Sequence, residues 1–171
     1  DVVYVGRLAY QKNPERLIKI CQSLLEKNSS LKIGIVGTGD LEDIVKREIA
    51  LMNSNNIKYL GFQSNPLKII KDAKVMIMTS RYEGTPMVAL ESLALGTPIV
   101  STPVDGMKLL IKNDFNGYLH FDDDELVKSI LDIVSKNKLY LQMSQNCKKK
   151  FDDLCDENKY LEKLRKEYNN G

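Results

Sequence analysis

Short runs of consecutive apolar residues alternate along this chain with longer segments whose apolar positions recur every three or four residues. Val2–Gly6, Leu31–Gly37, Ile57–Gly61, Val75–Thr79, Ile99–Ser101 and Gly117–Phe121 are of the first kind. Continuous apolar runs of that length predict strands covered on both faces. Pro14–Lys27, Asp40–Met52, Asn65–Lys71, Pro86–Leu95, Gly106–Ile111, Asp123–Ser135, Lys138–Lys150 and Glu157–Tyr168 are of the second kind and predict helices. Alternating strand–helix units imply an α/β protein with a parallel sheet. Right-handed crossovers then give a single Rossmann-like, doubly wound sheet. In such a sheet ligands bind beyond the carboxyl ends of the strands, where the strand order reverses. With the order 3-2-1-4-5-6, the first and fourth strands flank that crevice.

Size and composition narrow the picture. A chain of 171 residues with 43% hydrophobic residues fits one domain with a real core and excludes a disordered chain. A net charge of +2 gives no global field for nucleic acid or an anionic membrane. Cys21, Cys147 and Cys155 are too scattered for a disulfide framework or a CxxC metal or redox site, and Cys21 falls on an apolar helical face. A reducing compartment is expected. No apolar run is long enough to span a bilayer, and no leader is apparent. Asp1 leads straight into a strand without a Met, which predicts a piece cut from a longer protein. The charges of the last two helices read as a solvated face.

The segment from Ser80 to Pro98 holds two carboxylates eight positions apart, Glu83 and Glu91. Glu83 sits in a turn built by Gly84, Thr85 and Pro86; Thr85 is expected to cap the next helix and Pro86 to begin it. Glu91 lies inside that apolar helix, which stops at Gly96. A carboxylate there requires a hydrogen-bond partner, and adjacent hydroxyls such as those of a ribose would serve. The alternative is that Glu91 and Ser92 form a narrow solvent stripe and Glu83 is a loop charge. After the first strand come Gly6, Arg7 and Lys12. Arg7 and Lys12 suit a diphosphate, or are surface cations before a helix capped by Asn13. The N–H groups at Met87 and Val88 form a further anion site. Gly37 and Gly39 permit close backbone approach to a ligand, or only a tight turn. Gly61 and Phe62 close the third strand where a base would lie, or pack as ordinary strand-end residues. The dinucleotide fingerprint is absent after the first strand, which argues against NAD. No catalytic triad or metal-ligand cluster is apparent; His120 ends the sixth strand, and Asp122-Asp123-Asp124-Glu125 reads as a helix cap rather than a metal site.

Taken together these pieces resemble the nucleotide-sugar-binding half of a GT-B glycosyltransferase of the large family 4 of retaining enzymes. VGRLAYQKN is similar to the family's G-R-L-x3-K phosphate segment, GIVGTGD to its G-x-G turn, and YLGF to its base-side strand end. SRYEGTPMVALESLALGTPIVST resembles the Glu-x7-Glu region, and NDFNGYLHFDDDELVKSI the closing N-G-x-L segment with its helix. The five segments occur in order over nearly the whole chain.

The resemblance implies that Arg7 and Lys12 hold the donor diphosphate and stabilise the leaving nucleoside diphosphate. It implies that Glu83 contacts hydroxyls of the transferred sugar and Glu91 the ribose. Gly6, Gly37, Gly39, Gly61, Phe62, Gly84, Thr85, Met87 and Val88 complete the donor site. The donor would be UDP-linked more often than GDP-linked, with no cofactor and no catalytic metal. Residues 1–171 would be the donor domain alone. The N-terminal acceptor domain, which meets a glycan or lipid-linked acceptor, would lie outside this chain, and the isolated domain would not transfer sugar. Leu161 and Leu164 would then be orphaned from that domain. A cytoplasmic location follows, with any membrane contact made through the missing domain. One departure is that Met107, Lys108, Leu109 and Leu110 stand where relatives often carry an acidic residue. The rival classes are a non-catalytic nucleotide-binding module, a GT-B epimerase or phosphorylase, and an NAD-dependent oxidoreductase domain.

Overall fold

A computed structural model describes residues 1–156. It contains six strands: β1 (Val2–Val5), β2 (Ile33–Val36), β3 (Ile57–Gly61), β4 (Val75–Met78), β5 (Ile99–Ser101) and β6 (Gly117–Leu119). Seven helices cover them: α1 (Pro14–Lys27), α2 (Glu42–Leu51), α3 (Leu67–Asp72), α4 (Met87–Leu95), α5 (Asp105–Leu110), α6 (Asp123–Ser135) and α7 (Asn137–Cys155). A short 3-10 turn over Tyr10–Lys12, not expected from the sequence, follows β1.

The sheet is parallel throughout with the order β3-β2-β1-β4-β5-β6. This is the doubly wound order read from the pattern, and β1 and β4 are its reversal point. The strands bury on both faces because alternate residues feed separate cores. Val2, Tyr4, Ile33, Ile35, Val75 and Ile77 join α1 and α6. Val3, Val36, Met76 and Met78 join α4 and α5.

Most predicted elements appear with ends shifted by a residue or two. α7 differs more: it runs to Cys155 and not Lys150. The run Lys148–Lys150 is followed by Phe151, which packs against the second core and keeps the helix going. The predicted helix over Glu157–Tyr168, with Leu161 and Leu164, lies outside the described residues. Cys21 is fully buried, as its helical face required. Among the described residues no helix is long and apolar enough to cross a membrane.

Candidate functional site

The carboxyl ends of β1 and β4 lead into loops that are tied together. Thr79 Oγ1 donates to the carbonyls of Lys12 and Asn13, at 3.0 and 3.2 Å. The N–H of Arg81 donates to Gln11 O at 2.8 Å. Its guanidinium lies 4.3 Å from the Tyr10 ring centroid and donates to Tyr10 O and to Asn13 Oδ1. Asn13 adopts a left-handed conformation at φ 54° before α1, and its side chain does not cap the helix. Arg81 holds that side chain instead.

This bracing brings Lys12 and Glu83 together. Lys12 Nζ lies 2.5 Å from Glu83 Oε1, and the two side chains are 17% and 6% exposed. Lys12, expected to suit a diphosphate, faces the Glu83 carboxylate here, and in this structure each is the other's partner. A nearly buried carboxylate needs such compensation. Ser80 Oγ also donates to Glu83 Oε1, at 2.6 Å, and Gln11 Nε2 approaches Oε2 at 3.5 Å. The main chain is fixed as well, since Gly106 N donates to Glu83 O at 3.1 Å. A Cβ on Gly106 would stand 1.7 Å from Gly84 O, so only glycine lets the loops meet this closely.

The helix that follows corrects an expectation. Pro86, extended at ψ 112°, is the N-cap and α4 begins at Met87, so Thr85 does not cap it. Thr85 and Gly84 are exposed. Among the described residues no side chain caps α4, and no acid lies in its first turn. The N–H groups of Met87 and Val88 find no acceptor among the described residues, and the positive end of the helix is left uncompensated. α6 is the opposite case: Asp122 accepts from the N–H groups of Asp124 and Glu125, as a capping residue should.

α4 is less buried than its apolar sequence suggests, with Met87 65% exposed. Glu91 is half-buried and makes no hydrogen bond or ion pair with a described residue. It does not share a solvent stripe with Ser92, which is fully buried and donates to Thr97 O.

On the other side of β1, Gly6, Arg7, Gly37, Gly39 and Phe62 line one open cavity of about 430 Å³ with Val5, Val36 and Gln63. Arg7 is exposed and makes no side-chain hydrogen bond or ion pair with a described residue. Phe62 is 74% exposed, which excludes ordinary strand-end packing. Gly61 takes φ 66° and its carbonyl accepts from Gly37 N at 2.8 Å. Gly37 and Gly39 do make a close approach, but to the protein itself. A Cβ on them would lie 1.9 Å from Gly6 O and 2.4 Å from Leu8 O. Tyr59 OH braces the same turn by donating to Gly37 O at 2.9 Å. Under Gly6, Tyr4 donates to Arg7 O at 3.1 Å. Burial, then the Glu83 charge, push its phenol well above its ordinary range. A larger cavity of about 530 Å³ between α1 and α2, lined by Gln22, Leu25, Glu48 and Met52, contains no candidate residue. The strand-end cavity has the better claim because free charge and close backbone converge there.

Sequence reasoning missed Ser80, Gln11, Thr79 and Tyr4. Their partners lie on distant stretches of chain, apart from Glu83 beside Ser80 and Arg7 beside Tyr4. His120 lies past the end of β6 with Nε2 3.0 Å from Ser129 Oγ. Asp123 pairs with Arg16 at 2.6 Å, and among the described residues no three His, Cys, Asp or Glu side chains converge as a metal-ligand set would.

Residues 1–150 match the profile of the glycosyl transferases group 1. The chain belongs to this family. An uncharacterized glycosyltransferase of Methanocaldococcus jannaschii is 36% identical over 68% of this chain and 30% of its own length. The Escherichia coli enzyme named UDP-Gal:alpha-D-GlcNAc-diphosphoundecaprenol alpha-1,3-galactosyltransferase is 32% identical over 85% of this chain and 39% of its own. The chain therefore spans about a third of these two curated relatives. A structure of a TarM mutant from S. aureus, in complex with Fondaparinux, alpha-GlcNAc-glycerol and UDP, superposes with a TM-score of 0.89 at 24% identity. It covers 96% of this chain and 34% of TarM, and shows that the glycosyltransferase fold is shared.

Proposed function

We propose that this chain is the donor-binding half of a retaining glycosyltransferase. It takes a nucleoside-diphosphate sugar, UDP-linked in preference to GDP-linked. With an N-terminal acceptor domain it transfers the sugar to a glycan or lipid-linked acceptor. The observation that carries the reading is the guanidinium of Arg7, without a side-chain partner among the described residues, in the lining of the strand-end cavity, with the Lys12–Glu83 pair across β1. The names of the Escherichia coli relative and of the TarM complex, which mention UDP-Gal and UDP, favour the uridine donor.

In this reading the nucleoside lies against Gly37, Gly39, Gly61 and Phe62. Arg7 grips the diphosphate bidentately, and Gly6 lets the backbone come close. The open N–H groups at Met87 and Val88, reached past Gly84 and Thr85, meet phosphate or sugar oxygens. Glu91 accepts from the ribose, and Glu83 from hydroxyls of the transferred sugar. As the anomeric carbon–oxygen bond breaks, negative charge grows on the departing diphosphate. Lys12 and the start of α4 are held in place to receive it, and Arg7 closes on it from the cavity. Lys12 reaches that charge by sharing its ammonium between Glu83 and phosphate. Retention and any peripheral membrane contact through the N-terminal domain belong to the same proposal and are drawn from the family.

Calorimetric titration with UDP, GDP, their common sugar conjugates and NADH tests it, repeated on Glu91→Ala. Binding of UDP that weakens about tenfold in the variant, the worth of a charged hydrogen bond, is the expected result. NADH binding with no response to UDP or GDP would sink the donor reading.

A further inference from the structure

Ser80 has none of the roles assigned above, yet its surroundings are specific. It is 3% exposed at the end of β4. Its carbonyl accepts from Thr102 Oγ1 at 2.7 Å, which anchors it to the end of the neighbouring strand. Its hydroxyl donates to Glu83 Oε1 at 2.6 Å, and Lys12 Nζ donates to the same oxygen at 2.5 Å. Among the described residues Glu83 Oε2 has only Gln11 Nε2, at 3.5 Å, which is the outer limit of a hydrogen bond. One carboxylate oxygen is thus saturated by the protein, while the other keeps lone pairs for an incoming donor.

Those two oxygens would otherwise interchange with ease, because the terminal torsion of a glutamate is broad and two-fold. Lys12 cannot prevent this, since a flexible ammonium follows whichever oxygen is nearer. A hydroxyl on a short, buried residue whose carbonyl is anchored by Thr102 can. We propose that Ser80 is a positioning residue that locks the plane of the Glu83 carboxylate, so that Oε2 is presented to a hydroxyl of the donor sugar. The inference rests on the donor-binding reading above and adds to it the residue that orients the sugar contact.

The test is calorimetry on this chain with UDP and with the tightest-bound of UDP-glucose, UDP-galactose and UDP-N-acetylglucosamine. Ser80→Ala should weaken the sugar conjugate about tenfold and leave UDP unchanged, as loss of one charge-assisted contact predicts. Ser80→Thr, which keeps the hydroxyl, should restore binding. In a Glu83→Ala background, Ser80→Ala should cost nothing further, because it acts only through that carboxylate. Ser129→Ala removes another buried hydroxyl, one on α6 that meets His120 and not Glu83, and should alter neither ligand. Should Ser80→Ala fail to fold by circular dichroism, Ser80→Cys, a weak donor, takes its place with a smaller selective loss expected. Equal loss of UDP and conjugate, or an undiminished effect without Glu83, overturns the inference alone. Binding of neither ligand by the unmodified chain overturns the reading beneath it.

Discussion

On the β4 side of β1, Lys12 and Asn13 are tied through Thr79, Arg81 and Glu83 by contacts spanning some seventy positions of sequence. On the β2 side, three glycines line the cavity, Arg7 has no side-chain partner among the described residues, and Phe62 is open to solvent. The first region spends its polar groups on itself and is rigid before any ligand arrives. The second keeps its charge unspent. Rigidity belongs where a carboxylate must meet a particular hydroxyl, since small displacements there are costly. Free charge belongs where a flexible diphosphate is captured.

The largest test of this contrast is Gly106→Ala. The new methyl meets Gly84 O, and the braced loop must move, costing about 3 kcal/mol in urea unfolding. Next come the two cations, which should behave differently. Lys12→Ala leaves Glu83 uncompensated and should lower stability by about 2 kcal/mol, with binding weakened too. Arg7→Ala should leave stability within about 0.5 kcal/mol while UDP affinity falls by about 2 kcal/mol. If Arg7→Ala destabilises as much as Lys12→Ala, the two regions are not distinct.

Alkali acts below both regions through the core. Burial raises the thiols of Cys21 and Cys147 from 9.0 to about 12, and burial together with Asp114 raises the Tyr118 phenol from 10.0 to about 12. The Tyr4 phenol is raised as well. Between these values the unfolded chain binds fewer protons than the folded one. Stability is therefore complete below about pH 9 and lost as pH climbs towards about 12. Urea unfolding at about pH 8 and about pH 10.5 reads it, and equal midpoints would contradict the burial of these groups. The smallest effect is expected from Tyr10→Ala, which removes the ring beneath Arg81 and should cost about 0.5–1 kcal/mol of stability.

The fold was legible because buried parallel strands leave continuous apolar runs, and those runs in alternation with helices allow few topologies. Gly96, left-handed at φ 79°, ended α4 where its glycine predicted. Asp122 capped α6 for an equally local reason. The start of α4 was misread because Thr85 and Pro86 carry good local signals that the anchored Glu83–Gly84 loop overrides. Gly37 and Gly39 were legible as close-approach glycines, but sequence could not say that Gly6 and Leu8 are what they approach. Most hidden was the state of Glu83: a motif gives its position and says nothing of Lys12 and Ser80 closing on one of its oxygens.

The strand order has a consequence in time. β1 pairs with β2 on one side and with β4 on the other. Seventy residues separate Val5 from Val75. At about 5–20 residues per second, a ribosome needs about 4–14 s to make that stretch. During that interval the Val2–Val5 edge can already hold β2 and β3 yet has no neighbour on its other side. An unpaired, uncharged edge is an invitation to other chains. The strand at the centre of the finished sheet is therefore the nascent chain's point of greatest exposure to misassembly, and a chaperone would be most useful before β4 emerges.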